Sequence, residues 1–396
     1  MRLAMVIQRF RPSFGGQAVQ VESLCAALSR RGIEPTVYTA NPGDAPALEQ
    51  MEGYRVRRVR TDLGGHSPHW PAFGARVHRA LRRDRPDLVH VHGLTDALYA
   101  SWLYCRTASK PLVFEMTLLG VDEPGSIDSS TARLRWLRRR LYRQADAYVA
   151  MSRAFEPSYE ESGLPAQRLR VIPQGVDTAR FRPANERDRA EARAALDLPT
   201  ATPVVAFVGS LIARKGIDLL LEAWPMVRAR HGTATLALAG PGELVGKATE
   251  AAVAGMSDAD RDNLRLLGRR DDVDVVLAAA DAFVFPSRRE GFGTVIIEAM
   301  ATGLPCVVAE LPGITDYIFE HPAASPGAAA ADTDGVVVGQ EDPHALAAAL
   351  DEILGDPASG TAIGATARAR AVAAFDLGSV ADRYVDLYGE LRAGRA

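Results

Sequence analysis

The chain has 396 residues, 47% of them apolar, enough for two domains of about 180 residues that each bury a full core. It lacks an apolar run of the roughly 18 residues that a membrane-spanning helix needs. The three cysteines (Cys25, Cys105, Cys306) are odd in number, far apart and without metal-ligand spacing, which argues against disulfides and makes a reducing cytoplasm the default expectation. The net charge of −3 hides an asymmetry. Residues 1–150 carry 22 Lys and Arg against 14 Asp and Glu, leaving 24 against 35 for the remainder. Such a split fits a first domain that meets an anionic partner, or a set of solvated arginine-rich helix faces. Runs at Arg55–Arg60, Arg76–Arg85 and Arg133–Arg143 carry most of the excess.

The start, Met1-Arg-Leu-Ala-Met-Val-Ile-Gln, turns polar too soon for a secretory signal and reads as a first strand over Leu3–Ile7. Further strands are predicted at Pro35–Thr39, Leu88–His92, Leu112–Met116, Ala147–Met151 and Leu169–Ile172. Helical periodicity fills the gaps at Gln17–Arg31, Val77–Arg83, Leu98–Ala108, Ala132–Gln144 and Ala154–Ser162. A polar stretch, Phe181 to Pro203, follows, with a short helix at Arg187–Ala195. The alternation then restarts at Val204–Val208, Thr235–Ala239, Leu264–Leu267, Ala282–Phe285, Cys306–Ala309 and Gly335–Val338. Strand–helix alternation is the signature of a doubly wound parallel sheet, and it occurs twice. The segment Ala323–Ala331 reads as an irregular surface loop. The tail, Leu377–Arg392, is an amphipathic helix with Val380, Tyr384, Leu387 and Leu391 on one face, fit to pack on either domain.

The richest segment is Glu290-Gly-Phe-Gly-Thr-Val-Ile-Ile-Glu298. It follows the strand Ala282–Phe285 and a Pro286-Ser287 turn. Gly291 and Gly293 allow close backbone approach before a helix that runs to about Ala301. A helix start offers unpaired N–H groups and a positive dipole end to a phosphate. Carboxylates at 290 and 298 can then hold hydroxyls on either side of a diphosphate, which is what a nucleotide-sugar requires.

That segment resembles the signature of retaining glycosyltransferases of the GT-B fold, family 4: a glutamate, seven residues and a second glutamate, the first followed by Gly-Phe-Gly. Other segments share the resemblance. Gly209-Ser-Leu-Ile-Ala-Arg214-Lys215-Gly216 is similar to the family's basic loop that clamps the diphosphate. Phe14-Gly15-Gly16 is similar to its phosphate-contacting glycine loop. Gly268-Arg-Arg-Asp-Asp-Val273 resembles the loop that meets the nucleotide base, and Val171-Ile-Pro-Gln-Gly-Val-Asp177 resembles the exit of the first domain.

The resemblance implies an α/β GT-B architecture, two Rossmann-like domains facing a cleft. Residues 1–180, joined by the helix at about 377–396, would bind the acceptor, and residues 181–376 the donor. Donor binding is expected of Gly15, Gly16, Gly209, Arg214, Lys215, Glu290, Gly291, Phe292, Gly293, Thr294 and Glu298. Within that set Glu298 would hold the ribose hydroxyls and Glu290 the sugar hydroxyls. Lys215 and Arg214 would neutralise charge on the leaving diphosphate. The implied reaction moves a sugar from a UDP- or GDP-linked donor to a sugar or lipid-linked hydroxyl acceptor with retention, in polysaccharide or glycolipid synthesis. It needs neither a cofactor nor a metal.

The chain departs from the family at Ser210, where many members place arginine, and at Thr117, where the family has histidine. Thr117 and His92 are the acceptor-side candidates; His90 and His92 share one strand face and suit either a buried structural role or a functional one. Asp-x-Asp at 258–260, 272–274 and 332–334 reads as surface caps. The rivals are an epimerase of nucleotide-sugars on the same fold and an inactive nucleotide-binding homologue. Nucleic acid is not an expected partner. The helix across Arg133–Arg143, with Leu134, Trp136, Leu137 and Leu141, suits peripheral contact with an anionic inner-membrane surface or an ordinary core face.

Overall fold

Each half of the sequence builds a largely parallel sheet because its central strands are apolar along their length and must be covered on both faces. The computed structural model describes all residues except 13–14, 42, 44, 61–69, 130–134, 243–250, 252, 330 and 395–396. Part of the arginine-rich stretch 133–143 and Phe14 of the glycine loop therefore lie outside the described residues. The chain divides into two compact units, Met1–Gly175 with Leu377–Ala396, and Val176–Asp376.

In the first unit the strands are β1 (Arg2–Val6), β2 (Glu34–Asn41), β3 (Leu48–Gln50), β4 (Arg55–Arg60), β5 (Leu88–His92), β6 (Leu112–Met116), β7 (Ala147–Ala150) and β8 (Leu169–Val171). They lie in the order β3-β4-β2-β1-β5-β6-β7-β8, parallel apart from the antiparallel β3–β4 pair. The alternation along β1 divides the core. Leu3 and Met5 pack with helix Gly16–Ser29 and the tail helix Leu377–Ala393, whereas Ala4 and Val6 pack with helices Trp70–Asp84 and Asp96–Ala108. Val380, Tyr384 and Leu387 of the tail are buried in the first of these clusters.

The arginine run at 55–60 is not a helix face, and Arg57 and Arg58 within it are taken up by Asp84 and Glu49. It forms β4, with Val56 and Val59 inward. Arg58 is buried, donating to the carbonyls of Arg11 and Pro46 and pairing with Glu49 at 2.6 Å. A buried guanidinium needs such partners, and they occupy it.

In the second unit β9 (Val204–Val208), β10 (Thr235–Ala239), β11 (Leu264–Gly268), β12 (Ala282–Phe285), β13 (Cys306–Ala309), β14 (Pro322–Ala323) and β15 (Gly335–Val338) make a seven-stranded sheet, β11-β10-β9-β12-β13-β15-β14. The stretch read as loop from 323 onward contributes Ala323 to β14, paired in parallel with β15. Asp334 is another correction. It is no surface cap but a buried carboxylate that accepts from the backbone N–H of Glu320 (2.7 Å) and His321 (3.0 Å). All three cysteines are buried and none is in a disulfide. Among the described residues no helix is long and apolar enough to cross a membrane.

Candidate functional site

Open parallel sheets bind ligands where the strand order reverses, beyond the carboxyl ends. In the second unit that point lies between β9 and β12, and it brings together the two segments the sequence singles out. After β9 the chain makes a 3-10 turn, Ala213–Lys215, then helix Ile217–Arg230. Gly216 joins them with φ +70°, and a Cβ there would lie 1.8 Å from the carbonyl oxygen of Pro286. Only glycine lets the loop lie on the backbone that leaves β12. The contact is reinforced by the Arg214 carbonyl, which accepts from the Arg288 N–H (2.9 Å).

Lys215 is thereby set against Glu290. Its Nζ donates to Glu290 Oε1 at 2.6 Å and lies 5.0 Å from the centre of the Phe285 ring. Burial pulls the Lys215 amine below its ordinary value, and the charge and hydrogen bond of Glu290 oppose that pull. Ser287 Oγ donates to the same oxygen at 2.6 Å, and an Arg214 nitrogen stands 3.5 Å away. Among the described residues no hydrogen bond reaches Glu290 Oε2. Arg214 also donates to the Arg289 carbonyl at 2.7 Å.

Gly293, with φ +87°, caps helix Thr294–Ala301. Phe292 is buried edge-on against Phe375 (5.8 Å between ring centres) and Tyr317 (6.5 Å), so its ring anchors the turn and only its backbone can face a ligand. Gly209 closes β9, its N–H donating to the Ala239 carbonyl at 2.9 Å. The partly buried Glu298 carboxyl has no hydrogen-bond partner among the described residues. Burial pushes it up to about 8, with the nearby Arg180 opposing and Asp274 adding to the shift. A partly buried carboxylate without a partner is costly unless a ligand completes it. In the 268–273 loop, Arg270 pairs with Asp272 and Arg269 with Asp271.

In the first unit the order reverses between β1 and β5. Gly15 and Gly16 stand there at the start of helix Gly16–Ser29, with open space where a Cβ would be. Thr117 follows β6, and its hydroxyl donates to Asp122 Oδ2 at 2.6 Å. Asp122 also accepts from the N–H groups of Leu94, Thr117 and Leu118, fixing the ends of β5 and β6.

His92 closes β5 inside a buried cluster with His90, Glu115, Tyr384 and Tyr388. Burial and the neighbouring His92 push His90 down to about 4. Burial raises the Glu115 carboxyl, but His92 and His90 outweigh it and hold the group well below the usual carboxylate range. Ser287, Asp122 and Glu115 were not among the sequence candidates. Glu115 carried a signal, a carboxylate inside the otherwise apolar strand Leu112-Val-Phe-Glu-Met, which demands a partner.

Each unit is a doubly wound parallel sheet with a glycine-bearing loop at its strand-order reversal. Residues 202–356 match the family profile described as glycosyl transferases group 1, and residues 14–180 match that of glycosyltransferase family 4. A D-inositol 3-phosphate glycosyltransferase of Actinosynnema mirum is 32% identical over 76% of this chain and 77% of its own. Sucrose-phosphate synthase from Thermosynechococcus elongatus superposes with a TM-score of 0.78 at 24% identity, covering 99% of each chain. An Anabaena protein solved in complex with UDP-glucose superposes at 0.76 and 22% identity, over 98% of this chain and 100% of that one. The chain belongs to the group 1 glycosyl transferases, glycosyltransferase family 4.

Proposed function

We propose that the protein is a retaining hexosyltransferase that moves a sugar from a UDP- or GDP-linked donor to a hydroxyl acceptor. The observation that carries this reading is the Lys215–Glu290 pair at the β9/β12 reversal. Glu298 holds the ribose hydroxyls and Glu290 Oε2 the sugar hydroxyls. Backbone N–H groups of Gly291–Thr294 meet the diphosphate. As the bond from the anomeric carbon to phosphate oxygen breaks, negative charge grows on the diphosphate, and Lys215 with Arg214 neutralises it in the role that other transferases give to a metal. The acceptor oxygen bonds to the same face of that carbon, and its proton passes to the departing phosphate oxygen.

The acceptor reading rests on charge. The excess of Lys and Arg in residues 1–150 suits a phosphorylated or lipid-linked acceptor, and the A. mirum relative is named for an inositol phosphate. Trp136, 66% exposed on helix Arg135–Tyr142 beside Arg139 and Arg140, suits peripheral contact with an anionic cytoplasmic membrane face during polysaccharide or glycolipid synthesis.

A thermal-shift screen across nucleotide-sugars tests the donor, since a bound donor raises the melting temperature by mass action. Nucleoside diphosphate released only when an acceptor is present supports transfer. Epimerised sugar without release supports the isomerase reading, and binding without either supports an inactive homologue.

A further inference from the structure

Within the first unit, His90 and His92 of β5 and Glu115 of the adjacent β6 bring three ligand-type atoms within 4.8 Å of one another. All three residues are buried. His90 Nε2 lies 3.2 Å from Glu115 Oε2, and His92 Nδ1 lies 3.4 Å from Oε1. Metal–ligand bonds of 2.0–2.2 Å in a tetrahedral zinc site place neighbouring ligand atoms about 3.3–3.6 Å apart, so an ion would draw the three atoms, which lie within 4.8 Å, closer together.

The directions matter as much as the distances. His90 Nε2 and both ring nitrogens of His92 are buried without a hydrogen-bond partner among the described residues, although carboxylate oxygens stand beside them. Nitrogens that stand close to a carboxylate without aiming at it suit ligands converging on a shared point between them. A direct imidazole–carboxylate hydrogen bond would aim one atom at the other.

The outer contacts are those that orient metal ligands. His90 Nδ1 is 2.8 Å from the Tyr388 hydroxyl, which fixes the ring and leaves Nε2 for the ion. The Tyr384 hydroxyl donates to Glu115 Oε2 at 2.9 Å. Both tyrosines lie on the tail helix Leu377–Ala393. A cavity of about 20 Å³ adjoins the cluster, lined by His92, Glu115, Tyr384 and Gln17 among others. It has room for about one water, a fourth ligand.

We propose that His90, His92 and Glu115 form a buried site for a divalent transition-metal ion of the zinc class, completed by one water, that fastens the tail helix to the first sheet through Tyr384 and Tyr388. Imidazole and carboxylate ligands with one open position suit zinc or cobalt(II) rather than calcium or magnesium, which prefer all-oxygen shells. The site lies wholly within the first unit, and its role is to hold that unit together.

The test uses the full-length protein, stripped with a chelator, dialysed, and equilibrated with Co2+ or Zn2+ alone. The expected result is one ion per chain, a visible cobalt absorption band, and a melting temperature raised by Zn2+. His92→Ala and Glu115→Gln should abolish the band. Tyr388→Phe and Tyr384→Phe keep the ring volume and the fold, and each should weaken binding roughly 10–100-fold by removing an outer-shell hydroxyl. His321→Ala, at an exposed histidine beside Asp332, should change nothing. If neither ion is retained by the native chain, or if binding persists unchanged in Tyr388→Phe and Tyr384→Phe, the proposal is overturned and the cluster is a buried histidine–carboxylate network. The two tyrosine variants decide the matter even if His92→Ala does not fold.

Discussion

Lys215 Nζ and Glu290 Oε1 meet at 2.6 Å although 75 positions separate them in the chain. The pair joins the loop after β9 to the loop after β12, and each member alters the other. Glu290 opposes the pull of burial on the amine, and Lys215 sets the nearest cation against a buried carboxylate that Ser287 also holds. A diphosphate arriving at this point meets a cation that is already oriented.

Replacing Lys215 with alanine should therefore act on the transition state. Turnover is expected to fall by roughly 10²–10³-fold, the range for losing one preorganised charge-stabilising group, with a smaller change in donor affinity. Steady-state kinetics separate the two: a raised Michaelis constant at normal turnover would make Lys215 a binding residue only.

The pH dependence of Glu298 has a defined sign. Its folded-state value of about 8 lies above the ordinary 4.5, so the native protein holds more protons than the unfolded chain between those values. Its contribution to stability is full below pH 4.5, falls as pH rises toward 8, and is level beyond. Ribose hydroxyls donate to the ionised form, so donor binding at pH 7 should release protons and tighten as pH rises toward 8. Calorimetry in buffers of different ionisation enthalpy reads the proton count. No release at pH 7, or no change in Glu298→Gln, would remove this carboxylate from the ribose site.

Gly216→Ala tests the backbone contact that places Lys215. The substitution combines a positive φ with a Cβ 1.8 Å from the Pro286 oxygen. Backbone strain alone costs roughly 1–3 kcal/mol, and the loop must also lift off β12. Lower stability in urea unfolding and a loss of turnover are expected together. A variant with native stability and activity would show that the loop does not need this approach.

Trp136 gives the membrane reading its own check. The full chain should sediment with anionic but not neutral vesicles, less so at high salt, and Trp136→Ala should reduce the bound fraction. Equal sedimentation of native and variant chains would move any membrane contact elsewhere, and none at low salt would favour a soluble acceptor.

Much of the fold was legible because parallel strands are continuous apolar runs; β5, β6, β9, β10, β12, β13 and β15 begin and end where those runs do. β4 was not, since Arg55-Val-Arg-Arg-Val-Arg reads as surface until Glu49, Asp84 and loop carbonyls are seen to receive its arginines. The donor-side motifs could be recognised singly, but the Lys215–Glu290 contact depends on strand order, which periodicity does not specify. Thr117 was read for its hydroxyl alone. Its partner Asp122, five residues on, became evident only once the loop was seen to wrap around that carboxylate. Glu115 is tied to Tyr384 across 269 positions, a distance at which local sequence is silent.

Titration calorimetry of UDP and GDP into the native chain and Glu298→Ala tests whether this site takes a nucleotide. One nucleotide should bind the native protein at a single site per chain. Affinity should fall in the variant by about 1.5–3 kcal/mol for each charge-assisted hydrogen bond to ribose that is lost. Equal affinity in both proteins, or no binding of either nucleotide to the native chain, would contradict the assignment of this site to a nucleotide-sugar.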